Sequence, residues 1–282
     1  MPDFSLIATV FNESANLSRF LESYANQTLH AAEFVIVDGG SSDGTPDLIR
    51  QFAAAHPALH IRLIIDPTCS RKFTAGPIAR GRNVAIEAAR YDLIAATDAG
   101  CLLHEAWFAE ISAPFSRPDV DVVAGWYEAN IVNRFSAAFA EAAMPRLARV
   151  NPDTFMPSSR SIAFRKECWR KVGGYPTATL TGEDTKFNLM LKEAGCRFIF
   201  APRAIVYWDC PRSYEEMFTK QYRYGKGDGT LGINKVAFLK NTVHLLFPMK
   251  LVLDRLSPRA FAVKYSLIFA NHVGYVAGVL KR

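Results

Sequence analysis

Short apolar runs alternate through the first half of the chain with segments whose apolar residues recur every three or four positions. The runs are SLIATV (5–10), EFVIVD (33–38), IRLII (61–65) and DLIAATD (92–98). Each has strand length, and each is nearly continuous in apolar residues, the pattern of strands buried on both faces of a parallel sheet. Between them, ANLSRFLESYANQ, TPDLIRQFAAA and ARGRNVAIEAAR carry helical spacing and predict helices covering that sheet. Thr45, Pro46 and Asp47 predict a helix start, because a capping hydroxyl, a preset φ and a first-turn anion coincide.

The second half is less regular. VDVVAGW (120–126) predicts another strand, and FSAAFAEAAMPRLARV a helix interrupted at Pro145. Residues 151–210 mix a short run (SIAFR), a Gly173-Gly174-Tyr175-Pro176 turn, a helix over about 183–194 and a strand-like CRFIFA. No linker-like stretch or internal repeat interrupts them. The expected class is therefore α/β: a Rossmann-like, mainly parallel sheet flanked by helices, with a C-terminal helical appendage. The expected division is a catalytic domain over 1–230, with a donor half (1–110) and an acceptor half (111–230), followed by amphipathic helices over 231–282.

Composition narrows the setting. A chain of 282 residues with 50% hydrophobic content can bury a large core. Its five cysteines lack CxxC or CxxH spacing and are odd in number, which points away from a disulfide framework and a structural zinc site and towards a reducing, cytoplasmic setting. The N-terminal residues lack the pattern of a secretory signal. A formal charge of +6 suits an anionic partner. Basic residues also break the apolar tail from His244 to Arg282, so it predicts either helices packed on the core or peripheral contact with the cytoplasmic face of an inner membrane, not a spanning segment.

In open parallel sheets ligands sit beyond the carboxyl ends of the strands. Here those ends read Thr9-Val10-Phe11-Asn12-Glu13, Asp38-Gly39-Gly40-Ser41-Ser42-Asp43-Gly44-Thr45 and Thr97-Asp98-Ala99-Gly100. No GxGxxG follows the first strand, which weakens a dinucleotide-binding oxidoreductase. IATVFNESANLSRFLESYANQT, VDGGSSDGT, GPIARGRNVAI, TDAG and LTGEDTKFNLML, in that order, resemble the motifs of the family-2 inverting glycosyltransferases of GT-A fold, over most of residues 4–225.

The resemblance implies a nucleotide-sugar donor, UDP-linked by preference, and a glycan or lipid-linked acceptor in bacterial surface-glycan or polysaccharide synthesis, with no role for nucleic acid. It implies that Asp38 binds uracil and Glu13 the ribose, and that Thr9, Phe11, Arg82, Asn83, Asp98, Ala99 and Gly100 border the nucleotide. Asp98 would hold Mn2+ or Mg2+. Asp184 would be the base that deprotonates the acceptor, with Glu183 beside it, giving direct displacement with inversion. Two departures stand out. Gly100 replaces the second acid of the metal motif, and Trp208 stands where the family often carries a histidine, leaving Asp209 as a substitute ligand. Gln221 to Gly227 resembles the processive synthases' motif only loosely and reads as a mobile Gly-rich segment from which Arg223 and Lys226 close over the diphosphate. The rival readings are a nucleotidyltransferase, for which TVFNES supplies no glycine-rich basic loop, and a non-catalytic nucleotide-sugar or glycan-binding protein.

Overall fold

The computed structural model describes residues 2–248 and 256–281. In chain order the elements are β1 (Phe4–Val10), α1 (Ser14–Ala25), β2 (Glu33–Asp38), α2 (Thr45–Ala55), β3 (Ile61–Ile65), α3 (Pro77–Ala88), β4 (Leu93–Ala96), β5 (Cys101–Leu103) and α4 (Trp107–Ser112). They continue with β6 (Val122–Asn130), α5 (Arg134–Ala143), β7 (Ile162–Arg165), α6 (Lys166–Lys171), α7 (Glu183–Glu193), β8 (Phe198–Asp209), α8 (Tyr214–Leu231), α9 (Lys235–Leu246) and α10 (Pro258–Val279). Two compact units result. The first holds residues 1–128, 147–178 and 184–208; the second holds 129–146, 179–183 and 209–282. The expected cut at residue 230 therefore lies inside the second unit, because α8 packs lengthwise on α10.

In the first unit the four runs of the N-terminal half form the strands β3-β2-β1-β4, all parallel, with β1, β2 and β4 buried on both faces and β3 partly exposed at the edge. The described strands continue the same sheet as β7-β6-β8-β5, with β7 antiparallel to both β4 and β6 and β5 antiparallel to β8, so the sheet is mixed. Ile7, Val35, Val37, Ile94 and Phe164 are buried along it, and Tyr175 stacks on Phe187 of α7 at 3.9 Å between ring centroids. This core fixes the strand ends. Val10 lies beside Asp38, and Ile7 beside Ala96, so β1, β2 and β4 open at one edge.

The helix start at residue 45 differs in detail from expectation. Gly44, at φ +86°, is the capping position, and Thr45 is the first helical residue. Its hydroxyl turns back to Asp43, donating at 2.6 Å, and accepts from the Glu13 amide at 2.9 Å. A left-handed φ is accessible to glycine at little steric cost, which explains its place at the cap.

In the second unit α5 stops at Ala143 because Met144, preceding Pro145, is extended at ψ 138°. The segment expected to be mobile is helical instead. Gly225 and Gly229 of α8 lie against the backbone of α10, where an added Cβ would stand 1.9 Å from the Asn271 oxygen and 2.2 Å from the Tyr275 oxygen. Gly274 and Gly278 of α10 return the contact against Tyr222 and Lys226. Glycine is present there for close backbone approach, and it brings Arg223 and Lys226 onto a rigid helix pair. Of the apolar tail, Lys250, Asp254 and Arg255 lie outside the described residues. No described helix is long and apolar enough to cross a membrane.

Candidate active site

At the open edge of the sheet, two loops are laced together. Asn12, at φ +53°, donates its backbone N–H to Ser41 Oγ (2.7 Å), and its side-chain oxygen accepts from the Ser42 amide (2.9 Å). The Ser14 amide donates to Asp43 Oδ2 at 3.0 Å. The Thr45 hydroxyl, with the amides of Ser14 and Thr45, holds the Asp43 carboxyl well below the usual carboxylate range. Asp43 is thus a bracket for the loop after β1 that carries exposed Phe11 and half-buried Glu13, with Thr9 just before it at the end of the strand.

Asp38 ends β2 with 0% exposure. Its Oδ1 accepts from the backbone of Gly40 (2.8 Å) and Ser41 (2.7 Å), which folds the turn around it. Its Oδ2 is buried without a hydrogen-bond partner. Beyond β4, the hydroxyl of buried Thr97 is in the same state. Buried polar atoms are satisfied in most native structures, so two orphans at one end of one sheet call for a ligand or water as partner.

Gly81 presses α3 against β1, since a Cβ there would meet Thr9 Cγ2 at 2.8 Å. That approach delivers Arg82, 3% exposed, to Asp98: Nη2 donates to Oδ1 at 2.7 Å, while the guanidinium lies 5.4 Å from the Tyr175 ring centre. Asn83 is engaged inside the protein. Its Oδ1 accepts from Trp169 Nε1 and the Tyr175 amide, and its Nδ2 donates to the Tyr175 carbonyl, so it shapes the glycine turn that seats Tyr175. Arg80 donates to Thr68. Ala99 is buried and Gly100 has open space where a side chain would stand.

Asp184 is the second residue of α7, next to the loop 157–161. Asn188 pins that loop by donating to the Pro157 carbonyl at 2.7 Å, and the Ser158 hydroxyl reaches Asp184 Oδ2 at 3.5 Å. Arg160 Nη1 donates to the same hydroxyl at 2.8 Å. Its guanidinium lies 4.5 Å from the Trp208 ring centre and 5.6 Å from that of Tyr127. The antiparallel register ends at the pair Ala96 and Ile162, with Asp98 two residues beyond the end of β4 and Arg160 in the turn that leads into β7. Asp184 and Arg160 are linked through Ser158, while Asp38 ends and Asp98 follows the two strands that flank β1.

Glu183 and Asp209 belong to the second unit. Glu183 is buried. Asp209 accepts from Asn130 at 2.6 Å and faces Arg212 at 3.7 Å, two donors with which a cation would compete. Among the described residues, the ligand-type side chains that gather in a group of three are Asp121, Cys168 and Cys196, a set without Asp98. Burial pushes the Cys168 thiol up to about 12, so it keeps its proton. Asp98 with phosphate oxygens and water fits a hard cation of the Mg2+ or Mn2+ kind, which takes one or two carboxylates and completes its shell with ligand and solvent.

Ser158 and Arg160 escaped the sequence reading, and Thr97 entered it only as part of a strand end. Their places follow from strand pairing between segments some 60 residues apart, for which the local pattern holds no signal.

A parallel half-sheet with acids beyond its carboxyl ends, continued by antiparallel strands, is the arrangement of the GT-A fold. The chain belongs to the family described as Glycosyltransferase like family 2, which it matches over residues 2–227. It is 28% identical over 240 residues to glycosyltransferase AglE of Haloferax volcanii, covering 80% of this chain and 73% of that one. It is 26% identical to the pre-mycofactocin glycosyltransferase of Mycobacterium tuberculosis, covering 82% of this chain and 48%, about half, of the relative. Among solved structures it resembles the mannosyltransferase PcManGT from Pyrobaculum calidifontis in complex with GDP-Man and Mn2+. That match has a TM-score of 0.68 at 18% identity, over 98% of this chain and 89% of that one. It also resembles S. aureus TarS 1-349 in complex with UDP-GlcNAc, with a TM-score of 0.59 at 17% identity, over 87% and 71% of the two chains. None of these lends support to the nucleotidyltransferase or to a non-catalytic binding protein.

Proposed function

We propose that this glycosyltransferase moves a single sugar from a nucleoside-diphosphate sugar, UDP-linked by preference, to an acceptor hydroxyl with inversion. The observation that carries the reading is the buried Asp38 carboxylate, with one oxygen held by its own turn and the other lacking a donor. A pyrimidine or purine edge bearing an N–H supplies that donor, and the cost of leaving a buried charged oxygen unpaired makes the match favourable. Glu13 and Phe11, on the loop laced to Asp38's turn, and Thr9, at the end of the strand before it, take the ribose side of the donor. Arg82 orients Asp98 from within the core.

Asp98 would hold Mn2+ or Mg2+, which when bound neutralises charge on the departing diphosphate. The complexes of PcManGT with GDP-Man and Mn2+ and of TarS with UDP-GlcNAc support a nucleotide-sugar donor and leave the base to experiment. Asp184 accepts the proton of the attacking hydroxyl, with Ser158 orienting its second oxygen. Because the acceptor itself displaces the nucleotide in one step, the anomeric configuration inverts.

A lipid-linked acceptor at a membrane surface is supported by the second unit. On α9, Val236, Leu239, Val243 and Leu246 are exposed at helical spacing beside Lys235 and Lys240. A groove of about 380 Å3 lined by Tyr214, Met217, Phe218, Tyr265 and Phe269 offers apolar contact between α8 and α10.

Melting curves with UDP, GDP and their sugars, with and without Mn2+, test the donor reading, since a ligand that binds only the native state raises the midpoint. Failure of every one to do so defeats it. Asp184→Asn is expected to keep the donor-induced shift and to slow transfer by on the order of 1,000-fold, within the usual range for loss of a general base. Unchanged transfer removes Asp184 from the mechanism. Co-sedimentation with vesicles containing anionic lipid tests the membrane contact, and protein left wholly in the supernatant at low salt argues against it.

A further inference from the structure

The first unit gathers a second group of reactive side chains at the edge of the sheet opposite the nucleotide loops. Antiparallel pairing sets Leu93, at the start of β4, against Arg165, while the other end of β4 leads to Asp98. The Arg165 amide donates to the Asp121 carbonyl at 2.9 Å, so Asp121, just before β6, stands at the edge away from Asp98. There it meets Cys168 of α6 and Cys196 of the segment between α7 and β8. A carboxylate oxygen and the two sulfurs all lie within 4.8 Å of one another. No CxxC spacing announces the set, because its members come from three segments that only the packed sheet unites.

The surroundings suit one ion. Asp121 Oδ2 accepts from the Arg197 amide at 2.8 Å, and the Asp121 and Val122 amides donate to the Arg197 carbonyl, which fixes the carboxylate beside Cys196. Oδ1 has Arg165 Nε at 3.9 Å, too far for a hydrogen bond, so its lone pairs are available. Arg165 directs its N–H groups to the Val120 and Pro118 carbonyls, and Lys171 donates to the Ala194 carbonyl at 2.6 Å. Both cations therefore lie near the group without filling it. They also offset the net negative charge that two thiolates and a carboxylate leave on a divalent ion. Cys168 is buried, whereas Asp121 and Cys196 are half-buried, which gives an ion a way in and a water a place on it. Burial raises both thiols, so without an ion neither is a nucleophile. Two sulfurs with one carboxylate favour a borderline-soft ion such as Zn2+ over Mg2+ or Mn2+.

We propose that Asp121, Cys168 and Cys196 form a binding site for one Zn2+ ion, with water as the fourth ligand, separate from the site that handles the nucleotide. On binding, each sulfur forms a bond to the metal and releases its proton to solvent, two protons per ion. The ion ties α6 and the start of β6 to the segment leading into β8, and it stabilises the first unit without taking part in transfer.

Titration of the reduced, metal-free full chain with Co2+, followed by Zn2+, tests the site. Thiolate ligation gives Co2+ an intense near-ultraviolet sulfur-to-metal absorption that oxygen ligands at Asp98 do not produce. One Co2+ per chain is expected to show it, displaced by equimolar Zn2+ and not by excess Mg2+. Zn2+ should also raise the melting midpoint. Cys196→Ser, at the half-buried position, should abolish the absorption and lose more than about 100-fold in Zn2+ affinity, beyond what loss of a supporting contact costs. Cys168→Ala, with its fold checked by circular dichroism, should do the same. Asp121→Asn should keep the two-sulfur absorption at an affinity roughly 10- to 100-fold weaker. Absence of the absorption in the wild type overturns the proposal, as does its persistence in both cysteine variants or a Zn2+ affinity unchanged by Cys196→Ser. UDP and GDP binding by Cys196→Ser should match the wild type, and a loss there would place the ion in the nucleotide site and overturn the assignment.

Discussion

The two units use glycine for opposite purposes. In the first, Gly40 and Gly44 have φ of +88° and +86°, and they let the loop after β2 fold around Asp38 and present the start of α2. In the second, Gly225, Gly229, Gly274 and Gly278 are ordinary helical residues whose missing side chains let two backbones touch. The first use shapes a polar loop in which one carboxylate oxygen stays without a partner; the second makes a dry, close helix crossing. Glycine content along a chain therefore does not by itself mark mobility, since what decides is whether a backbone angle or a neighbouring backbone demands it.

The contrast can be broken most forcefully at the helix crossing. Gly225→Val would place a branched side chain where the Asn271 carbonyl stands, and it is expected to cost more than about 4 kcal/mol in denaturant unfolding, the range of severe overpacking. A mild effect would mean that α8 and α10 separate easily. A smaller effect, with opposite consequences for binding and stability, is expected at the loop. Asp38→Asn keeps an acceptor for the Gly40 and Ser41 amides and removes the charge from the unpartnered position. Stability should hold or rise by about 1 kcal/mol, while nucleotide affinity falls between about 10- and 100-fold, as when a buried charged partner is lost. Loss of both together would make Asp38 a structural residue. Smallest is Gly44→Ala, which meets open space and pays only for its φ, roughly 1–2 kcal/mol in thermal unfolding.

Much of the donor half was legible in advance because its signals are local. A run such as EFVIVD can be buried on both faces only as an inner strand, and the residues that end such strands must stand at the sheet's open edge, so Asp38 and Asp98 could be located from pattern alone. Asn83 was harder, because an amide beside an arginine on a helix start carries no sign of whether it faces a ligand or, as here, seals the turn at Tyr175. The stretch from Gln221 to Gly227 misled for a related reason: its glycines have the propensity of a loop, and only a partner helix more than 40 residues later makes it helical.

By itself the sequence determined the parallel half-sheet, its helices and the acids at its edge, since periodicity and strand ends are properties of neighbouring residues. Only the tertiary structure decided that Arg82 pairs with Asp98, that Arg160 lies against the rings of Trp208 and Tyr127, and that α8 packs closely on α10. Those facts depend on which distant segments pair and in what register, and pairing is settled by the packing of the whole core, with no local residue to announce it.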